Sequence, residues 1–170
     1  GVDFSTSELE GATLLIDSRR IARHLRRSLE DHEKWVESRG EKGARAVLKN
    51  EDLSFVDLAG RNLSAIVLTG SRLRSCNLSG SVLALADLSG VDLSNANMEE
   101  CVLLGVDLSR ANLSEARLRG AQLLPIEILN PDGTQSGTAR APDLRNADLR
   151  GADLADGQLS ACNTEGARFD

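Results

Sequence analysis

An aliphatic residue recurs at every fifth position of this chain, without a gap, from Leu48 to Ile128. A second column, made mostly of small residues such as Ala86 and Ala96, lies two positions before each member of the first. A period of five matches neither the helix, with about 3.6 residues per turn, nor the two-residue alternation of a strand. It therefore indicates a repeat architecture in which each unit buries its leucine only by stacking on its neighbours.

Composition narrows the functional classes. Among 170 residues there is no Tyr, and only three Phe and one Trp occur, so an aromatic-rich core is excluded. The net charge of −6 argues against direct binding of nucleic acid, which requires a basic surface. The sequence contains neither an apolar run long enough to cross a bilayer nor a secretory signal, and we expect no membrane contact.

The cysteines are odd in number and lack the spacing of a zinc site. Cys76, Cys101 and Cys162 all fall on the small column of the repeat. We therefore expect them to be packed as small buried hydrophobes. Free thiols of this kind favour a reducing, cytoplasmic compartment.

The repeat is written out most clearly at residues 86–98, where Ala-Asp-Leu-Ser-Gly is followed by Val-Asp-Leu-Ser-Asn and Ala-Asn-Met. This unit closely resembles the A(D/N)LXX motif of the pentapeptide repeat family, and the likeness covers about two thirds of the chain. The resemblance implies a bacterial protein with an all-β solenoid fold. That fold is a right-handed quadrilateral β-helix with four units per coil, here about six coils, whose central leucines point inward.

Residues 1–47 are predicted to form an N-terminal cap. Residues 2–16 keep the five-residue period and are interpreted as extra repeats, although Ser7 and Glu10 also fit the capping box of a helix. From 18 to 39 the period becomes helical, with one apolar face made of Ile21, Leu25, Leu29, His32 and Val36. Because solenoids need their open ends covered, we expect this helix, with Trp35, to cap the first coil.

The solenoid is predicted in two blocks, 48–128 and 142–170, the second out of frame with the first by one residue. Between them, residues 129–141 contain Pro-Asp-Gly, a strong turn signal. We interpret this segment as a projecting loop or hairpin. Its candidate contact residues are Asp132, Gly133, Thr134 and Gln135.

Four units per coil place residues twenty apart on one face, so the outward columns can be read from the sequence. One face is predicted to carry an acidic ladder of Asp87, Asp107 and Glu127. Two other faces mix acidic and basic residues. The fourth, called here the apolar face, has apolar residues where the repeat normally places polar ones: Val82, Leu85, Val102, Leu104 and Leu124.

A contiguous apolar patch of this kind usually marks an interaction surface. The alternative is that the patch is covered within the chain, by the helix of residues 18–39 or by the 129–141 segment. A homodimer or another protein partner would otherwise occupy it.

Catalytic chemistry is not predicted. His24 and His32 lie about 12 Å apart by helical rise, too far to share a metal, and His32 falls on the apolar side of its helix. No catalytic triad, phosphate loop or metal-ligand cluster is found, so we expect no enzyme activity, metal or cofactor. A basic cluster could meet an acidic partner or be a solvated helix face; it comprises Arg19, Arg20, Arg23, Arg26 and Arg27.

The sequence favours a non-catalytic module for protein–protein interaction. The resemblance implies an alternative, because some bacterial pentapeptide proteins mimic DNA, bind DNA gyrase and topoisomerase IV, and protect them from quinolones. A second alternative is a targeting module of a larger signalling protein or enzyme.

Overall fold

The structure is a computed structural model that describes residues 23–130, 132–159 and 161–170. The chain divides into two compact units, Gly1–Ala46 and Val47–Asp170. The extra repeats predicted within residues 2–16 lie outside the described residues. None of the described residues belongs to a helix that is long and apolar enough to cross a bilayer.

Helix α1 spans residues 23–37 of the first unit. It ends where Gly40, with φ of 93°, donates its N–H to the carbonyl of Trp35 at 2.8 Å. Nδ1 of His32 accepts the N–H of Ala46 at 3.1 Å, and the imidazole stacks on the ring of Trp35 at 5.8 Å. His32 is thus a packed histidine that ties the segment after α1 back to the helix. The cap over the first coil stays a prediction.

The second unit is built from ladders of parallel bridges. Each bridge joins residues 20 apart, from Val47 with Val67 up to Val102 with Gln122. The central leucines donate their N–H to the next coil, as Leu63 does to the carbonyl of Val82 at 2.7 Å. Their side chains are buried, with 0% exposure at Leu63 and 0% at Leu83. The central leucines therefore form the stacked core that the five-residue period predicts.

A β-turn follows each central residue from Leu48 to Leu118. In one of them the N–H of Ile66 donates to the carbonyl of Leu63 at 3.1 Å, and Ala65 has φ of 60°. A positive φ is what a type II turn requires at its third residue, and it favours glycine there. Phe55 (φ 63°) and Leu85 (φ 59°) adopt the same conformation despite their bulk.

The Asp or Asn before the central leucine closes the same turn. The carboxylate of Asp87 accepts the N–H of Ser89 at 3.1 Å and its hydroxyl at 2.7 Å. Asn112 accepts the N–H of Ser114 in the same way, at 3.1 Å. These Asx turns explain why the repeat prefers a short acceptor at this position.

The repeat is interrupted by an antiparallel hairpin of β1, Ile126–Leu129, and β2, Gln135–Arg140. Bridge partners lie 20 residues apart before the hairpin but 36 apart across it, as in Asp107 with Asp143. The insertion therefore adds 16 residues, one more than three repeat units, which accounts for the shift of frame.

Two placements predicted from the sequence are wrong. Ile128 does not continue the inward column, and Glu127 does not continue the acidic ladder, because both lie in β1, where Glu127 pairs with Ala139. The hairpin also begins earlier than the predicted segment 129–141, since β1 starts at Ile126. Pro125 stands at the turn position that needs a positive φ, and the proline ring fixes φ near about −65°, so the repeat cannot continue through it.

Candidate interaction surfaces

The apolar face is a continuous ladder. Its bridged residues run in the order Asn62, Val82, Val102, Gln122 and Gln158. Val82, Val102, Leu104 and Leu124 are all half-buried, so each retains accessible apolar surface. None of the five bridged residues is charged: two are valines and three carry amides.

The hairpin covers one corner of this face. A β-carbon on Gly105 would lie 2.6 Å from Cγ2 of Ile126, 3.1 Å from the carbonyl oxygen of Arg140 and 3.2 Å from Cδ2 of Leu85. The base of the hairpin therefore packs over Gly105, beside Leu85. Leu85, one of the predicted apolar residues, therefore borders the same position as Ile126.

The acidic ladder consists of Asp87, Asp107 and Asp143, which bridge one another in that order. Burial alone would raise the pKa of Asp87. Hydrogen bonds from Ser89 and from the Thr69 hydroxyl, the latter at 3.0 Å, have the larger combined effect, so the pKa lies below its usual value. The guanidinium of Arg145 holds Asp143 at 2.6 Å. Part of the ladder's charge is thus neutralised within the solenoid.

The two mixed faces are held by ion pairs, several of them between successive coils. Arg72 contacts Asp52 at 3.1 Å, twenty residues earlier. The carboxylate of Asp148 accepts hydrogen bonds from the guanidinium groups of Arg150 and Arg168, both at 2.7 Å. The pKa of Asp148 is lowered to about 2, and the hydrogen bond from Arg150 is the largest cause. The sequence predicts mixed faces but not these partners, although the spacing of twenty would have identified Asp52 with Arg72 and Asp148 with Arg168.

The hairpin tip is an ordered turn. Asp132 accepts the N–H of Thr134 at 2.9 Å and its hydroxyl at 2.6 Å, and Gly133 has φ of 81°. Gln135 donates to the carboxylate of Glu127 across the strands at 3.2 Å. Ile128 and Leu129 are 36% and 57% exposed. The insertion thus offers both a polar tip and two exposed aliphatic side chains.

The described residues contain no group of three side chains suited to hold a metal ion. Cys76, Cys101 and Cys162 are free thiols, the first two buried. Sγ of Cys101 donates to the carbonyl of Leu78 at 2.9 Å. Burial raises the pKa of Cys76 to about 12 and also raises the pKa of Cys101. These two side chains act as packing groups.

The family model for pentapeptide repeats matches residues 52–90, 86–123 and 142–170 in eight copies. No protein of curated function matches the sequence. Solved structures with the same repeat show limited similarity over the whole fold. A pentapeptide repeat protein from the thylakoid lumen of Arabidopsis thaliana is 28% identical, with 65% of this chain and 69% of that chain covered and a TM-score of 0.36.

Two further solved structures are similar to this chain. Rfr23 from the cyanobacterium Cyanothece 51142 is 22% identical, with coverage of 72% and 86% and a TM-score of 0.31. QnrB1, a plasmid-mediated fluoroquinolone resistance protein, is 20% identical, with coverage of 78% and 68% and a TM-score of 0.22. Since the family model matches more than half of its length, the chain belongs to the pentapeptide repeat family.

Proposed function

We propose that this chain is a non-catalytic module for protein–protein interaction. The observation that carries the proposal is the apolar face. Val82 and Val102 occupy bridged positions at which Asp87 and Asp107 close Asx turns on the neighbouring face. An apolar side chain there gives up that turn hydrogen bond and leaves apolar surface in water. Replacing the polar residue of the repeat by valine therefore favours binding of another protein surface at this face.

The hairpin is the second proposed contact element. It can be removed without disturbing the period, because deletion of residues 126–141 removes the 16 inserted residues. Pro125→Gly in the same variant restores a residue that tolerates the positive φ of the turn. The resulting uninterrupted solenoid is the matched control for the role of the hairpin.

The test is affinity purification from the native host with four forms of the chain: the natural chain, Val102→Asp, the hairpin deletion and Asn97→Asp. We expect the natural chain to retain a specific protein, and we expect Val102→Asp or the hairpin deletion to lose it. Asn97→Asp, which adds the same charge at the same repeat position on another face, should retain it. The proposal is wrong if no protein distinguishes the natural chain from Val102→Asp and the hairpin deletion.

We propose DNA mimicry, with binding to DNA gyrase or topoisomerase IV, as a second candidate function. It is supported by the location of the charge: Val47–Asp170 has 17 acidic and 11 basic residues and so carries the whole net charge of −6. It ranks second because, within the described residues, arginines pair with several of those carboxylates, including Asp143 and Asp148. A gyrase supercoiling assay in the presence of a quinolone would test this candidate. If the chain at micromolar concentration does not protect gyrase from the quinolone, the candidate is wrong.

We also propose a cytoplasmic location, which the free cysteines support. Alkylation of the thiols in intact cells, followed by mass spectrometry, would test it; disulfide-linked cysteine would contradict it.

A role as the targeting module of a larger signalling protein or enzyme is a third candidate. The full-length gene would decide it by showing whether a catalytic or signalling domain adjoins this chain.

A further inference from the structure

We propose that two copies of this chain associate through the apolar face, an inference that rests on the interaction module proposed above. The contact is centred on Val82, Val102, Leu104 and Leu124. It is isologous, so that the same side chains of both copies meet across a two-fold axis.

Charge favours this face over the other three as the place where a second copy binds. The other three faces of Val47–Asp170 all carry ionised side chains, whereas the strands of the apolar face carry none at residues 62–65, 82–85, 102–105 and 122–124. The unit has a net charge of −6, so pairing two copies through their acidic ladders would juxtapose like charges, which costs binding energy. The apolar face is the one on which a copy meets neither repulsion nor a buried unpaired charge.

The spacing of the coils supports the same occupant. Bridged strands lie about 4.8 Å apart, so Val82 and Val102 form ridges with that repeat. A second copy carries ridges of identical spacing, and its side chains can fit between those of the first over the whole ladder. Close packing at an interface depends on such shape complementarity.

The size of the face predicts a weak dimer. Five bridged strands span only about 19 Å at the spacing of a sheet. Such a patch is smaller than the roughly 800 Å² per partner of a stable complex. The hairpin leaves the solenoid directly after Leu124, and its Ile128 and Leu129 are further exposed aliphatic side chains. We therefore expect association at micromolar rather than nanomolar concentrations.

Sedimentation velocity on the full chain, from about 1 to 200 µM, tests the proposal over the range expected for a weak complex. The mass of the natural chain should rise with concentration from 18.2 kDa towards twice that value. Val102→Asp should stay at 18.2 kDa throughout. The fold accepts Asp at this position, since Asp107 occupies its equivalent and accepts the N–H of Ser109 at 2.9 Å.

Asn97→Asp is the matched control and should dimerise like the natural chain. A natural chain that stays monomeric at every concentration would overturn the proposal. So would a Val102→Asp variant that still dimerises, or an equal loss in both variants. Circular dichroism checks the fold, and Leu104→Ser, which places the common repeat residue at that position, decides the matter if Val102→Asp unfolds.

The proposed function can survive failure of this inference. If the natural chain is monomeric but loses a host protein when Val102 is changed to Asp, the apolar face binds a different protein. If the chain dimerises as expected and no host protein is retained, the face serves self-association alone.

Discussion

Ile126 of strand β1 packs directly on Gly105 of the solenoid, so closely that a β-carbon on Gly105 would lie 2.6 Å from its Cγ2. The carbonyl oxygen of Arg140, at the end of β2, would be 3.1 Å from the same β-carbon. The insertion is thus anchored where its two strands meet the solenoid. The absence of a side chain at Gly105 makes this contact possible.

Gly105→Ala should destabilise the protein by roughly 2 kcal/mol, since alanine disfavours positive φ and the hairpin base would have to move. Gly90→Ala is the control: its φ of 65° is similar, but a β-carbon there meets nothing within 4 Å. It should lose only the conformational part, about 1 kcal/mol. Urea unfolding gives both values, and equal losses would show that the hairpin does not rest on Gly105.

Replacing Phe55 by Gly should stabilise the fold. Phe55 is held at φ 63° with 79% of its surface exposed, so it bears the cost of a left-handed conformation with little burial in return. We expect a gain of about 1 kcal/mol in the free energy of unfolding. Phe55→Ala keeps the unfavourable φ and should gain little. A stability loss in Phe55→Gly would mean that the ring contributes packing.

Asp148 should stabilise the fold in a pH-dependent way. Its pKa is lowered from 3.8 to about 2, first by the hydrogen bond from Arg150. The stabilisation is therefore complete above the unfolded-state pKa and is lost as the pH falls through the folded-state pKa.

The difference in melting temperature between the natural chain and Asp148→Asn should be largest near neutral pH and should vanish below about pH 2. Arg150→Gln should move the carboxyl titration, followed by NMR, back towards 3.8. A titration of Asp148 that is unaffected by Arg150→Gln would contradict this account.

Cys162 should be the first thiol to react in the native protein. Burial raises the pKa of all three thiols, but Cys162 is only half-buried, whereas Cys76 and Cys101 are buried, so exposure sets the order of reaction. Brief alkylation at pH 8 followed by mass spectrometry should label Cys162 alone, and labelling in denaturant should reach all three. Fast native labelling of Cys101 would show that the inner column opens.

The sequence predicts the fold well where each residue position has one role. The leucine column and the residues twenty apart follow from the period alone, and the Asx turns of Asp87 and Asn112 are local contacts within one repeat unit. The family membership and its β-solenoid fold are confirmed. Prediction failed at the insertion, because Glu127 and Ile128 keep the spacing of the repeat while pairing with β2 instead.

Periodicity determines which side chains point inward and which outward, since every unit makes the same local turn and the same contact with the coil twenty residues away. Local sequence, through Pro125 and the Pro-Asp-Gly turn, also marks where the pattern breaks. Only the tertiary structure shows that Asp143 takes the ladder position after Asp107 and that Ile126 rests on Gly105. These contacts join segments across an insertion, where distance in space no longer follows from separation along the chain.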